Sequence, residues 1–187
     1  MKYLIIAFIL VTNMAWAQKK KPTSTKKPAT ATKPVQKQPT EWDELDKTFV
    51  AFIKALENSD KTAFDNIALS QVDCAECPGS GEQGDITHFV PSDVFYITVA
   101  ADFKLSPVYK ALTNRGYAFN SMVLKDFKPS FIPKDNTGSK DLKVYEVWVP
   151  TYKPDELSKG NPGSSHAFQF VKVHGEFRFF GLTSQIL

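Results

Sequence analysis

The sequence predicts an α+β domain in which helices in its first half pack on an antiparallel sheet of about four strands in its second half. Apolar residues recur at helical spacing in the first half, whereas aromatic and β-branched residues punctuated by turn residues fill the second. The helix patterns precede the strand patterns and do not alternate with them. This segregation is typical of α+β domains, in which helices cover one face of the sheet.

The first 17 residues predict a secretory signal peptide. The stretch MKYLIIAFILVTNMAWA has a lysine near its start, an apolar run over residues 3–11, and small residues at Ala15 and Ala17, where a signal peptidase cleaves. The apolar run is short compared with the roughly 20 residues that a membrane-spanning helix needs. We therefore expect an exported protein, located in the periplasm or outside the cell.

Residues 18–39 predict a disordered tether rich in Lys, Pro and Thr. The stretch QKKKPTSTKKPATATKPVQKQP has seven lysines, no acidic residue and no aromatic residue. Such a segment cannot bury enough apolar surface to offset the entropy lost on ordering. Two roles stay open for it: a solubilising spacer, or electrostatic attachment to an anionic partner such as lipid, cell-wall polymer or nucleic acid.

Residues 40–187 are predicted to form one domain, and its charge differs from that of the whole chain. The chain has a formal charge of +3, but residues 40–187 carry 15 Lys and Arg side chains against 20 Asp and Glu side chains, a formal charge of −5. Nucleic-acid-binding domains usually present a basic face. The composition therefore argues against nucleic acid as a partner of the domain.

Helices are predicted in two parts of the domain. Residues 40–43 form a capping-box variant, and the apolar residues of the stretch 42–56 recur at helical spacing, so a first helix should end near Glu57. A second, short helix is predicted over residues 61–68 after the cap signal of Asn-Ser-Asp. Mainly helical structure is expected again over residues 91–116.

Strands are predicted after residue 116. The candidates are residues 117–132, 143–152, 167–173 and 176–182, with turns at residues 135–138 and at His174-Gly175. The last two candidates carry phenylalanines at both odd and even positions. Because side chains alternate between the two faces of a sheet, we expect this hairpin to be apolar on both faces. Such a sheet is covered on both faces or wraps around a cavity. The phenylalanines concerned are Phe168, Phe170, Phe177, Phe179 and Phe180.

The order of these elements resembles a known superfamily. The helical pair FVAFIKALENSDKTAFDNIA, a Cys-containing loop, a helical middle and the hairpin FQFVKVHGEFRFFGLTSQI resemble the nuclear transport factor 2-like, or cystatin-like, α+β cone, in particular its small exported bacterial members. The resemblance implies a curved sheet around a conical pocket that serves catalysis, ligand binding or dimerisation. It also implies that the sheet can pair with a second subunit, giving a homodimer. The chain shows no His and Asp pair matching the enzyme members, so their chemistry is not carried over.

The only two cysteines, Cys74 and Cys77, lie in the stretch DCAECPG. A structural disulfide is favoured in an oxidising compartment, while a thiol-exchange role and a metal site stay open. A zinc site needs two further ligands, and the chain has three histidines in all. A c-type haem would require a histidine directly after Cys77, where Pro78 stands. No cofactor or metal site is predicted.

Four residues are candidates for a pocket: His88, Tyr145, Trp148 and His166. The histidines could act as acid or base groups near neutral pH, and the aromatic residues could stack on a flat ligand. Core packing and ordinary surface positions are the competing interpretations. The common nucleotide-binding, hydrolase and metalloprotease motifs are absent from the sequence.

These observations predict a non-catalytic module of the cell envelope that binds an apolar or aromatic ligand, or a protein partner. A lyase or isomerase using His88 or His166 as the base is the alternative, together with thiol-disulfide exchange at Cys74 and Cys77. A structural envelope component held by its tether is a third hypothesis. No catalytic residue is assigned.

Overall fold

The computed structural model describes residues 39–80, 88–133 and 139–186. These residues belong to a compact unit spanning Gln38–Leu187. The predicted signal peptide, nearly all of the predicted tether and the predicted turn at residues 135–138 lie outside the described residues. Among the described residues, none of the helices combines the length and the apolar character that a membrane span requires.

The described elements confirm an α+β protein. Four α-helices and one 3₁₀ turn precede or separate the strands within the described ranges. The helices are α1 Glu41–Glu57, α2 Lys61–Asp65, α3 Ser92–Ala100 and α4 Pro107–Arg115, with the 3₁₀ turn at Phe103–Leu105. The strands are β1 Ala68–Cys74, β2 Phe89–Pro91, β3 Ala118–Leu124, β4 Leu142–Tyr152, β5 Ser164–Val173 and β6 Glu176–Ile186.

Helix α1 begins where the sequence predicts, because its first turn closes a capping box. The Asp43 amide donates to the Thr40 hydroxyl at 3.2 Å, and the Thr40 amide donates to the Asp43 carboxylate at 2.8 Å. Each side chain thus satisfies a backbone donor that the helix leaves without an internal partner. The predicted end at Glu57 and the mainly helical stretch 91–116 are also confirmed.

Helix α2 is shorter than predicted, because the chain leaves it to join the sheet. It ends at Asp65, and β1 starts at Ala68 and runs parallel to β6. The Phe179 amide donates to the Ile67 carbonyl at 2.9 Å, which attaches the start of β1 to the sheet. The prediction of a helix up to residue 68 is therefore wrong at its C-terminal end.

The sheet has six strands in the order β2-β1-β6-β5-β4-β3, so the prediction of about four antiparallel strands is wrong. All neighbouring pairs are antiparallel except β1 and β6, which are parallel. The sheet is therefore mixed, and it is not closed into a barrel. The two additional strands lie in sequence that lacks a period-two pattern, since β1 reads ALSQVDC and β2 has only three residues.

One face of the sheet, here called the helix face, packs against the helices. Phe52 of α1 lies against Phe168, Phe170 and Phe179, with ring centroids 4.3 Å apart for the Phe52–Phe179 pair and 5.8 Å apart for each of the other two. Phe64 of α2 joins the same cluster. All five rings are fully or almost fully buried, so this aromatic cluster is the centre of the main core.

The opposite face, here called the outer face, is covered in part by the connection between β3 and β4. Sequence reasoning predicts strand as far as residue 132, but β3 ends at Leu124 and the chain then crosses the sheet as an irregular segment. This arrangement confirms that the last hairpin is apolar on both faces. The buried residues of the second cluster are Leu69, Ile132, Leu142, Val144, Val171 and Phe180, with Phe127 and Phe131 packed against them.

The turn between β5 and β6 is the predicted two-residue hairpin. His174 has φ 50° and Gly175 has φ 87°, the pair of positive values that a type I′ turn requires. This turn fixes the register that places Phe170 opposite Phe179. Both rings therefore point to the helix face.

We expect Phe52→Ala to lower the free energy of unfolding by about 3–5 kcal/mol, because it leaves a cavity at the centre of the aromatic cluster. Urea denaturation measures the loss. As a control, Ile97→Ala removes a side chain that is 73% exposed and should change stability by no more than about 0.5 kcal/mol. Equal losses for the two variants would contradict the central role of the α1 packing.

Candidate functional site

A cavity of about 590 Å³ lies between the sheet and the helices. The segment from α3 to the start of α4 forms one wall, and the ends of β4, β5 and β6 form the other. The C-terminal end of β1 and the residues after it lie at a third side. The lining residues are Cys74, Ala75, Glu76, Thr98, Val99, Asp102, Phe103, Ser106, Pro107, Val108, Thr151, Tyr152, His166, Phe168, Leu182, Thr183 and Ser184.

The cavity exists because α1 covers only part of the helix face. Phe168 and Phe170 of β5 pack against Phe52 of α1. His166 lies two residues before Phe168 and therefore on the same face of β5. No residue of α1 is among the described lining residues. The sheet therefore extends past α1. The α3–α4 segment lies over this part of the sheet, and the cavity lies between the two.

Most of the wall is apolar. Phe168 of β5 and Phe103 of the 3₁₀ turn are buried residues of the main core that also face the cavity. Val99, Val108 and Leu182 are partly buried and complete the apolar surface. A wall of this kind favours the apolar part of a ligand, because burying apolar surface contributes roughly 25 cal/mol per Å².

Two of the polar residues that line the cavity, His166 and Thr151, contact each other. The Nδ1 atom of His166 lies 2.6 Å from the Thr151 hydroxyl oxygen, which also lies 3.3 Å from the Val149 carbonyl oxygen, to which it donates. In the Nδ1–H tautomer the imidazole donates to the Thr151 hydroxyl and Nε2 is the acceptor; in the Nε2–H tautomer the hydroxyl donates to Nδ1. Burial lowers the pKa of His166 below its usual 6.5, and the Glu76 carboxylate opposes this in part. His166 is therefore a neutral group at pH 7.

The mouth of the cavity is acidic. Glu76 and Asp102 are exposed lining residues, and no Lys or Arg is among the described residues that line the cavity. An anionic group entering this site would meet two carboxylates and no fixed cation. The charges therefore favour neutral or cationic ligands.

The predicted disulfide between Cys74 and Cys77 is present, with its sulfur atoms 2.13 Å apart and its Cα atoms 5.4 Å apart. The two residues are 4% and 3% exposed, and Cys74 lines the cavity. The Cys77 amide donates to the Cys74 carbonyl at 3.2 Å, and the Ser80 amide donates to the Cys77 carbonyl at 3.2 Å. The disulfide therefore braces a tight turn beside the cavity.

The position of this turn differs from the prediction. Cys74 is the last residue of β1 and Cys77 lies in the turn after it, so the pair comes at the end of a strand, as in thioredoxin-type pairs, and not directly after α2. However, residues 75–80 form turns and no helix begins within them. Activation of a thiol by a helix N-terminus therefore does not apply here, and the burial of both sulfur-bearing residues limits their access to a second thiol.

The structure brings only one of the four predicted pocket residues to the cavity, namely His166. His88 is not among the described lining residues: it lies beside Cys74, whose amide donates to its carbonyl at 3.0 Å, and its Nδ1 atom is 3.9 Å from an Asp73 carboxylate oxygen. Tyr145 is a buried core residue whose hydroxyl donates to Glu41. Trp148 faces away from the helices, because side chains alternate along a strand and Trp148 lies three residues after Tyr145, which faces the helices.

Trp148 belongs to a polar cluster on the outer face that sequence reasoning missed. Glu146 is 1% exposed, and its carboxylate accepts from the Trp148 indole at 2.9 Å, the Asn120 amide at 3.2 Å and the Gln169 amide at 3.3 Å. These donors come from three neighbouring strands. The cluster satisfies a buried carboxylate and links β3, β4 and β5 across the sheet.

Most lining residues of the cavity also escaped sequence reasoning. Phe103 of the 3₁₀ turn, Thr151 of β4 and Leu182 of β6 come from separate elements, and no motif connects them in the sequence. The Ser-Pro pair at residues 106–107 starts α4, and the Ser106 hydroxyl caps the helix by accepting from the Tyr109 amide at 3.1 Å. Its second role, as part of the cavity wall, follows only from the fold.

Comparison with known proteins does not identify a family for the chain. No family model matches it, and no curated protein matches it. Within the described ranges, no three His, Cys, Asp or Glu side chains come close enough together to hold a metal ion. The cavity is therefore interpreted from its own geometry and charge.

We expect the free energy of unfolding to decrease as the pH falls from 7.5 through about 6.5. The folded-state pKa of His166 is below 6.5, so the unfolded chain binds the proton first and gains stability relative to the folded chain. The decrease should level off once the folded protein is also protonated. Urea denaturation at a series of pH values measures this dependence.

The variant His166→Gln should remove this part of the pH dependence, because it keeps a polar side chain beside Thr151 but cannot titrate. His88→Gln is the matched control and should retain the decrease, since His88 lies outside the cavity. A pH dependence that survives in His166→Gln would contradict the assignment.

Proposed function

We propose that the domain is a non-catalytic binding module that encloses the apolar or aromatic part of a small molecule in the 590 Å³ cavity. The observation that carries this proposal is a mostly apolar wall with a few neutral polar groups, among them the contacting pair His166 and Thr151, and with no Lys or Arg among the described lining residues. The volume falls within the roughly 300–1,000 Å³ of small-molecule sites. The same pattern of mostly apolar lining with a few polar groups is usual for such sites.

The ligand proposed for this site carries no net negative charge. Glu76 and Asp102 at the mouth attract a cationic head group and repel an anionic one, with a strength that decreases as salt rises because both carboxylates are exposed. Neutral His166 adds a hydrogen-bonding group to the wall. A neutral or cationic molecule with an apolar or aromatic body fits this lining.

The cellular setting is part of the proposal. The signal-like N-terminus supports export to the periplasm or beyond, and the seven lysines of residues 18–39 support attachment to an anionic envelope surface. The disulfide at Cys74 and Cys77 is consistent with an oxidising compartment. The helix-covered sheet with a cavity at its end also supports the resemblance to the nuclear transport factor 2-like cone, in which a curved sheet would enclose the pocket.

A second candidate function is a lyase or isomerase that uses His166 as its base. It is favoured by one observation, the contact of Nδ1 with Thr151, which orients the imidazole and, in the Nδ1–H tautomer, leaves Nε2 as the proton acceptor. The lowered pKa keeps this nitrogen ready to accept a proton at neutral pH. Thiol exchange is disfavoured by the burial of the disulfide.

The experiment measures binding of the neutral fluorescent probe N-phenyl-1-naphthylamine and its displacement by three amphiphiles with the same decyl chain. Decyltrimethylammonium and decanol should displace the probe at lower concentrations than decanoate, because the mouth is acidic. The double variant Glu76→Gln, Asp102→Asn should reduce the difference between cation and anion. Preferred binding of decanoate would contradict the proposed ligand class.

Val108→Trp should weaken probe binding about tenfold or more, equivalent to about 1.4 kcal/mol, because the larger side chain fills the cavity from α4. The matched control is Val50→Trp in α1, where the valine is 37% exposed and does not line the cavity. The control should bind the probe like the unmodified protein. Equal effects of both substitutions would show that the probe binds elsewhere.

The variant His166→Gln distinguishes the two functions. A binding module keeps most of its affinity for the probe and for decanol, because the apolar wall is unchanged. An enzyme of the second kind loses turnover while still binding its substrate.

A further inference from the structure

Strand β3 is an edge of the sheet that lacks the usual protection. Within the described sheet it pairs only with β4, and its seven residues, AFNSMVL, include no charged residue and no proline. Natural edge strands usually avoid pairing with other chains by carrying charges, prolines or bulges, or by being very short. The register between β3 and β4 is continuous over all seven residues, without a bulge.

The other edge of the sheet shows the protection that β3 lacks. Strand β2 has three residues and ends in Pro91, which has no amide hydrogen to donate. It is therefore a poor template for another strand. The contrast between the two edges makes β3 the side at which the sheet can be extended.

Apolar side chains are also exposed along β3. Phe119, Met122 and Val123 are 37%, 38% and 50% exposed. Trp42, at the start of α1, stacks on Phe119 with a centroid distance of 5.8 Å and is itself 38% exposed. The stack places a second large apolar ring beside the strand.

We propose that β3 pairs with β3 of a second copy of this chain, antiparallel and about a two-fold axis at Ser121. In this register Ser121 faces its own copy, and Phe119 faces Val123 of the second copy on the helix face. On the outer face, Ala118 faces Leu124 and Asn120 faces Met122. Two six-stranded sheets would then form one continuous sheet across the dimer.

The pairing pattern argues for a second copy as the occupant. All seven residues of β3 take part, apolar residues face apolar residues at both ends, and the only self-pair is between two small polar side chains. No charge is buried. Moving the axis to Met122 would place Phe119 opposite Lys125, whose ammonium contacts Asp141 at 2.7 Å, and moving it to Asn120 would leave fewer strand residues paired.

This surface is separate from the cavity. No residue of β3 is among the described residues that line the cavity, so dimer formation and ligand binding are independent on this proposal.

Sedimentation equilibrium of the full chain tests the proposal, with a dimer as the expected result. Ser121→Lys and Ser121→Glu each place two like charges directly opposite one another, which destabilises an antiparallel pair, so each variant alone should raise the dimer dissociation constant about tenfold or more. An equimolar mixture of the two variants should restore the dimer, because each lysine then faces a glutamate. Ser158→Lys, at an exposed loop position, is the control and should leave the dimer unchanged.

A cross-linking variant tests the register directly. Opposed residues in an antiparallel pair have Cα atoms about 4.5–5.5 Å apart, which suits a disulfide, so Ser121→Cys should give a covalent dimer under oxidising conditions. Thr113→Cys, on α4, should not. Unfolding curves like that of the unmodified chain would show that the Ser121 variants fold. A chain that stays monomeric at every concentration, or a dimer that neither Ser121 charge variant weakens, would overturn the proposal.

Discussion

The packing of α1 against the β5–β6 hairpin is the interaction on which the rest of this structure depends. Phe52 contacts three phenylalanine rings of that hairpin, and this contact decides which face of the sheet is buried under the helices. It also decides where the helix layer ends, since His166 lies beyond the contact on the same face of β5. The cavity is therefore a consequence of a helix that is shorter than the sheet it covers.

The close parallel pairing of β1 with β6 attaches β1 to the sheet and thereby places the disulfide. Gly181 of β6 lies opposite Asp73 of β1, and a Cβ atom at Gly181 would come within 2.6 Å of the Asp73 Cβ atom. The close approach of the two strands thus requires glycine at this position. Because Cys74 follows Asp73 directly, the parallel pairing sets the disulfide beside Leu182 at the cavity.

Sequence reasoning predicted the features that local physics determines. The capping box at Thr40 and the positive-φ turn at His174-Gly175 depend on neighbours within a few residues, and both are confirmed. Strand β1 was missed because its partner, β6, lies more than 100 residues away and because its burial pattern does not alternate. Of the candidate pocket residues, only His166 reaches the cavity, since membership depends on strand parity and on the end of α1, which no short pattern encodes.

The imidazole and the carboxylates of the cavity impose different requirements on a ligand. His166 contacts Thr151 and is kept neutral by burial, so it offers a ligand a hydrogen-bonding group but no charge. The mouth holds Glu76 and Asp102, which are exposed and lie close to solvent. An amphiphile that entered head first would have to desolvate its polar group against an apolar wall, at a cost of about 1–3 kcal/mol or more without a matched partner. Entry with the apolar end first leaves the head group hydrated at the acidic mouth, and the geometry therefore favours that orientation.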